Sequence, residues 1–248
     1  MAAANADQSV IDEEVRRFDA LGDDWWDPNG PMAPLHRLNP VRIEWLRDTI
    51  AAHFRHSGGD EPPLAGLAVL DVGCGAGLIC EPLSRLGADV TGLDPAKTSI
   101  EVARAHAAAT GAKPSYRVGT VEELAKEGAR FDVVLAMEVV EHVADVPAFV
   151  AAAASLIKPG GLFAAATLNR TLKSFALAIL GAEYVLRWLA PGTHHWEQFV
   201  TPDELASALR AAGLKETQRR GLRYDPLRGE WRLSRDLGVN YFIAARRG

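Results

Sequence analysis

LDVGCGAGL, residues 70–78, decides how this chain folds. An apolar run from Leu67 to Val72 enters a turn holding Gly73, Gly75 and Gly77, and ICEPLSRLG (79–87) then opens as a helix. Glycines at such a turn permit positive φ and let a ligand reach the backbone with no Cβ in the way. ADVTGLD (88–94) is a second strand that ends on Asp94, and AKTSIEVARAHAAATG (96–111) is a second helix with a glycine stop. Strand, glycine turn, helix and a strand ending in a carboxylate form the layout of a nucleotide site, with Asp94 placed for a pair of ribose hydroxyls. The competing reading is a turn that only packs strand against helix.

The same alternation runs outward from this unit. SYRVGT (115–120), FDVVLAM (131–137) and GLFAAATL (161–168) are short apolar strands separated by helical segments. That rhythm predicts a doubly wound α/β fold, a mostly parallel sheet covered on both faces. TPDELASALRAAGL (201–214) reads as a helix with Thr201 as N-cap and Pro202 in its first turn. KETQRRGLRY (215–224) and VNYFIAARR (239–247) read as closing strands. Before the sheet, IDEEVRRFDAL (11–21) is a short amphipathic helix, DDWWDPNGPMAPLHRLNP (23–40) a loop, and VRIEWLRDTIAAHF (41–54) a second helix. The breaker cluster HSGGDEPPLAG (56–66) divides an N-terminal helical, lid-like segment, 1–60, from a main domain, 61–248, with an insert at about 170–200.

Composition narrows the function. The 248 residues suffice for a buried core, and the net charge of −5 offers no basic field for nucleic acid. Cys74 and Cys80, the two cysteines, make neither a disulfide framework nor a complete structural zinc site, so a reduced, cytoplasmic setting is expected. The N-terminus lacks the basic region and apolar core of a signal peptide.

The glycine spacing then selects the ligand. A dinucleotide fingerprint runs G-x-G-x-x-G, whereas this loop is G-x-G-x-G with Leu78 at the third position, which argues against a nicotinamide oxidoreductase. Asp71 stands beside the loop, a poor neighbour for two phosphates and a good one for a cation. S-adenosylmethionine, with an ammonium, a sulfonium, a ribose and no phosphate, fits better.

With these residues in place, D-x-G-x-G-x-G resembles the class I S-adenosylmethionine-dependent methyltransferases. FDVVLAMEVVEHV (131–143) resembles their fourth-strand motif and LIKPGGLF (156–163) the approach to their fifth strand, with an antiparallel last strand implied. More specific stretches lie outside the cofactor motifs: LHRLNPVR (35–42), GAEYVLRWLAPGTHHWEQF (181–199), LRYDPL (222–227) and VNYFIA (239–244). From about Glu13 onward the chain resembles the ubiquinone-biosynthesis O-methyltransferases. The resemblance implies methylation of 3-demethylubiquinol to ubiquinol and of 2-polyprenyl-6-hydroxyphenol to 2-polyprenyl-6-methoxyphenol. It also implies, as partners, a polyprenylated phenol or quinol substrate, the membrane surface and other enzymes of the pathway, with peripheral attachment at the inner membrane. Carried over by position, Arg42, Gly73, Asp94 and Met137 contact the cofactor; Asp71 and Gly75 join them from the loop reading. Two other classes compete: another methyltransferase of the quinone pathway, and a non-catalytic cofactor-binding scaffold.

A phenol is a weak nucleophile near neutral pH, because its pKa is about 10. Its proton must go to a base, or the phenolate must be held by a metal. Glu138, Glu141 and His142 stand at i, i+3 and i, i+4, so a helical turn would present all three on one face. Two readings follow: the triad binds a divalent cation such as Mg2+, or His142 is the base with Glu141 or Glu138 tuning it. His194 and His195 are a second candidate pair. Trp25, Trp26 and Trp45 suit a lid over an aromatic substrate and equally a plug between an N-terminal helix and the sheet. FALAILGAEYVLRWLAP (175–191) is too short of uncharged residues to cross a bilayer. As one helix, Phe175 to Leu189 would line Lys173, Glu183 and Arg187 along one stripe and leave a wide apolar arc, the pattern of a helix lying in a membrane interface.

Overall fold

The computed structural model describes residues 10–55, 61–175, 196–225 and 229–248. Eight strands form one sheet: β1 (Ala68–Val72), β2 (Asp89–Asp94), β3 (Ser115–Val118), β4 (Phe131–Met137), β5 (Ile157–Leu168), β6 (Leu214–Asp225), β7 (Glu230–Ser234) and β8 (Asn240–Arg247). Their order is β3-β2-β1-β4-β5-β8-β6-β7. The first five are parallel, whereas β8 runs antiparallel to both β5 and β6, and β7 pairs antiparallel with β6. The order reverses between β1 and β4, and in open α/β sheets the crevice at such a reversal, beyond the carboxyl ends of the strands, is where ligands sit.

Alternate residues of the parallel strands feed two cores. Val69, Val133, Leu135, Ile100, Leu83, Leu46 and Ile50 pack together on one face; Leu70, Val72, Val134, Phe149, Phe163 and Leu205 pack on the other. The first face is covered by α2 (Ala33–Phe54), α3 (Cys80–Arg85) and α4 (Lys97–Thr110), the second by α5 (Val121–Lys126), α6 (Val146–Ser155) and α8 (Pro202–Ala211). Local signals set several helix ends. Thr120 and Thr201 each make a capping box, and Gly111 closes α4 at φ 70°. A one-turn α7 (Leu172–Ser174) follows β5.

Three expectations need correction. α2 starts at Ala33, not Val41, so most of LHRLNP belongs to a helix: Pro34 sits in the first turn, where its missing N–H has no helical partner to lose, and Pro40 is carried inside. There are three closing strands, since β7 is a short piece, EWRLS, with little apolar alternation to mark it. The segment after β4 is no helical face. Glu138 has φ 58°, a left-handed turn, and only Val140–His142 form a single 3-10 turn. The i, i+4 rule therefore does not apply there.

N-terminal to the sheet, α1 (Asp12–Asp19) and a 3-10 turn (Gly22–Trp26) lie across the carboxyl ends of the strands. Trp45 is a plug: its ring packs on Phe242 at 4.7 Å and is buried in the core. Trp25 and Trp26 instead sit on the glycine turn. A Cβ at Gly75 would stand 2.5 Å from the Trp25 ring, and Trp26 Nε1 donates to the Ala76 carbonyl at 3.1 Å.

Candidate active site

A cavity of about 650 Å³ opens at the β1/β4 reversal. Its wall at one end is the glycine turn with Asp71, Gly73, Cys74, Asp94 and Met137; Arg42, Glu138, Glu141 and His142 line its middle. The far end is made by Leu222, Tyr224 and Trp231 of the β6–β7 hairpin. α1 contributes Glu14 and Phe18 as a roof. Gly75 lies behind Trp25 and does not itself line the cavity.

The glycine end is built from backbone. Gly73, Gly75 and Gly77 all have positive φ, 67°, 51° and 87°, which side chains with a Cβ adopt only with strain. Gly73 N–H donates to the Leu93 carbonyl at 2.8 Å, and Gly75 N–H donates to Asp94 Oδ2 at 2.8 Å. Asp94 Oδ1 accepts from Ala96 N–H at the same distance. Each carboxylate oxygen keeps a second lone pair for a ribose hydroxyl. Burial drives the Asp94 pKa up to about 6 despite these N–H donors. Asp71 is buried, receives the Cys80 thiol at 3.2 Å, and is raised by desolvation to about 7. A cationic ligand would relieve this desolvated acid pair. The cradle thus fits S-adenosylmethionine.

The reacting end is built from charged side chains. Arg42 is 2% exposed; its Nη2 lies 2.6 Å from Glu138 Oε1, and its Nη1 donates to Asn39 Oδ1 at 3.4 Å. Arg42 Nε and Nη2 are buried without an aligned acceptor, the condition of a guanidinium aimed at an anion. Glu141 is buried and accepts from Thr167 Oγ1 at 2.8 Å. Desolvation, with the Glu138 charge added, raises its pKa to about 7. His142 Nδ1 stands 3.0 Å from Glu14 Oε2. Burial pulls the imidazole pKa down, but the Glu14 contact and the charges of Glu141, Glu14 and Glu138 outweigh it and leave it raised.

In this arrangement the three residues of the cation triad do not converge. Glu138 turns to Arg42, Glu141 to Thr167 and His142 to Glu14, three separate partners in place of one convergent donor set. Among the described residues no group of three His, Cys, Asp or Glu side chains is arranged to hold a metal ion. His194, His195 and nearly all of the 175–191 segment lie outside the described residues. Glu14 and Thr167 were missed from sequence; only long-range pairing across 128 and 26 positions brings them in, and no local spacing signals that.

Comparison with known proteins places the chain in a family. A methyltransferase-domain family model matches residues 43–218. The magnesium protoporphyrin IX methyltransferase of Synechocystis PCC 6803, solved with bound S-adenosylmethionine, shares the fold at a TM-score of 0.63 and 18% identity, with both chains covered in full. Fold and site together define a class I methyltransferase. The relatives are more specific still. The ubiquinone biosynthesis O-methyltransferase of Methylobacterium nodulans is 58% identical over 96% of both chains, and that of Azorhizobium caulinodans 54% over 97% of this chain and 95% of its own. The chain belongs to the ubiquinone biosynthesis O-methyltransferase family.

Proposed function

We propose that this protein methylates a hydroxyl of polyprenylated phenols, converting 3-demethylubiquinol to ubiquinol and 2-polyprenyl-6-hydroxyphenol to its methoxy product. The observation that carries the reading is one cavity joining the glycine turn to His142 and to the apolar β6–β7 wall. S-adenosylmethionine supplies a methyl carbon that leaves sulfur, with the S–C electron pair staying on sulfur, as the substrate oxygen bonds to it. Asp94 takes the ribose hydroxyls, Gly73 and Gly75 shape the backbone cradle, and Met137 lies beside the cofactor. Arg42 takes its carboxylate, and Asp71 favours its positive charge. His142 removes the phenol proton; Glu141, buried next to it, holds that position electrostatically negative. Within the N-terminal segment, α1 over the cavity serves as the lid that excludes water from the reacting atoms.

A polyprenyl tail resides in lipid, so the site must be presented to a membrane. Among the described residues no helix is long and apolar enough to cross one. The apolar sequence of 175–189 supports peripheral attachment at the inner membrane, with Trp188 and Tyr184 at headgroup level and Arg187 toward anionic lipid. Flotation with anionic liposomes tests it: wild type floats, whereas a Leu186→Glu, Leu189→Glu variant stays in the soluble fraction and still binds cofactor. A wild type that does not float ends the membrane reading.

The decisive experiment is mass spectrometry after incubation with methyl-labelled S-adenosylmethionine and a short-chain demethylubiquinol. One labelled methyl on oxygen is expected. Label on carbon points to another quinone-pathway methyltransferase, and no label with intact cofactor binding points to a scaffold. Turnover that stops with a chelator and returns with Mg2+ would move the phenolate from His142 to a bound cation.

A further inference from the structure

A carboxylate from outside the sheet reaches the reacting end. Glu14 belongs to α1, a helix none of whose residues is fully buried, yet its side chain is only 14% exposed because it points into the cavity roof. Its Oε2 stands 3.0 Å from His142 Nδ1. Phe18, one turn further along α1, places its ring edge-on to the imidazole, with centroids 5.5 Å apart at 85°. Val10, just before α1, bridges to Val143, just after the histidine. His142 is thus held on one side by the 3-10 turn that carries it and on the other by the N-terminal helix.

We propose that Glu14 is the positioning residue of the catalytic base, and that the base is complete only while α1 lies across the cavity. The proposal rests on His142 being the base. A carboxylate on Nδ1 fixes the tautomer with the proton there, which leaves Nε2 as the acceptor. The phenol proton passes to Nε2, and the imidazolium that results is balanced by Glu14 until it loses the proton to solvent. Glu141 and Glu138 act on the ring through their charge from the β4 side and Arg17 follows Glu14 on α1, so among the described residues the carboxylate within reach of Nδ1 comes from α1.

Closure is built into the same contacts. α1 meets α4 at its C-terminal end: Thr98 N–H donates to Asp19 Oδ1 at 2.6 Å, and Ser99 Oγ donates to the Phe18 carbonyl at 3.4 Å. A helix with no fully buried residue gives up little packing when it opens. Opening exposes the cavity and removes Glu14 from His142 together. Substrate admission and base assembly are therefore mutually exclusive states of one helix, and a cofactor left in the open state meets no oriented base.

The test uses the full chain with His142→Ala, Glu14→Gln and Glu14→Asp. His142→Ala comes first: loss of turnover with cofactor affinity kept sustains the base, and full turnover removes it regardless of Glu14. Given that loss, Glu14→Gln should lower kcat roughly 10- to 100-fold, leave the Kd for S-adenosylmethionine within about twofold, and recover in part as Glu14→Asp. The tautomer gives a readout that a merely structural role would not move. In 15N-histidine NMR of the wild type, His142 carries its proton on Nδ1, and Glu14→Gln mixes the two tautomers. Wild-type kcat in Glu14→Gln, or a wild-type His142 protonated at Nε2, overturns the proposal. Should Glu14→Gln fail to fold, the wild-type spectrum still decides.

Discussion

The two ends of the cavity are built by opposite means. At the glycine end, backbone N–H groups of Gly73, Gly75 and Ala96 fix the loop and Asp94, and the turn and its carboxylates lie between residues 70 and 96. At the reacting end, Glu14, Arg42, Glu138 and His142 come from α1, α2 and the turn after β4, and they hold one another through charge. Backbone recognition is local and stiff. Side-chain recognition is assembled from distant sequence and moves with the elements that carry it. The consequence is a protein that keeps its cofactor cradle formed while its chemistry depends on the lid.

The contrast predicts where substitution is least tolerated. Gly73→Ala should do the most damage: a left-handed φ of 67° costs alanine about 1–2 kcal/mol, and its Cβ would stand 2.6 Å from Val139 Cγ2, adding about 1–3 kcal/mol of overpacking. The expected outcome is a lower melting temperature and cofactor binding weakened roughly 100-fold or more by calorimetry. An alanine variant with wild-type affinity would break the claim that this loop is the stiff end.

Glu138→Gln probes the other end. It leaves the Arg42 guanidinium charged, with its side chain 3% exposed, and removes its carboxylate. Breaking a buried pair costs about 3–5 kcal/mol; Glu138 is 18% exposed to the cavity, so about 2–3 kcal/mol is expected. Because the cofactor's carboxylate would replace the lost one, S-adenosylmethionine should raise the melting temperature of the variant more than that of wild type. Equal shifts would mean that Arg42 does not meet the ligand.

The same division explains what was legible in the sequence. The first four strands, the glycine turn, Asp94 and the Thr201 cap rest on patterns within a few residues, and they stand where the sequence placed them. Pro34 and Pro40 masked the first turns of α2, because a helix that accommodates proline leaves no local mark. Glu138 broke the helical spacing through a left-handed φ that few non-glycine residues adopt. The partners Glu14 and Thr167 follow from tertiary packing alone.

Acidity offers a smaller test. Asp71 and Glu141 are raised to about 7 and Asp94 to about 6, all chiefly by burial, so between about pH 4 and 7 the native state binds more protons than the unfolded chain. Stability without cofactor should therefore fall as pH rises through that window, by about 1.4 kcal/mol per unit for each whole proton of difference. The raised His142 pushes in the same direction at the upper end, its contribution being lost as pH climbs through its folded pKa. A cation prefers the ionised acids, so cofactor affinity should run the other way and weaken below about pH 6. Asp71→Asn flattens both slopes if the acid is the cause. Unchanged slopes would assign them elsewhere.

The smallest effect is expected where lid and cradle meet. Trp26 stacks flat on His106, with centroids 3.5 Å apart at 5°, and donates Nε1–H to the Ala76 carbonyl inside the glycine turn. His106 in turn lies 2.6 Å from the buried Glu81, which also accepts from Arg85 and Thr110. One indole thus connects the N-terminal segment to a polar network behind the stiff end. Trp26→Phe retains an aromatic face but loses the donor, a net hydrogen bond worth about 1 kcal/mol. For a domain of this size that amounts to a fall of about 2–4 °C in melting temperature. If the segment moves as the lid, the variant should change kcat and cofactor Kd in different proportions, because the lid is loosened while Asp94 and Gly73 keep their bonds. A double-mutant cycle with His106→Ala isolates the stack from the hydrogen bond. Additive effects would show that Trp26 and His106 do not act together, and the division between a stiff cradle and a separate lid would then be complete.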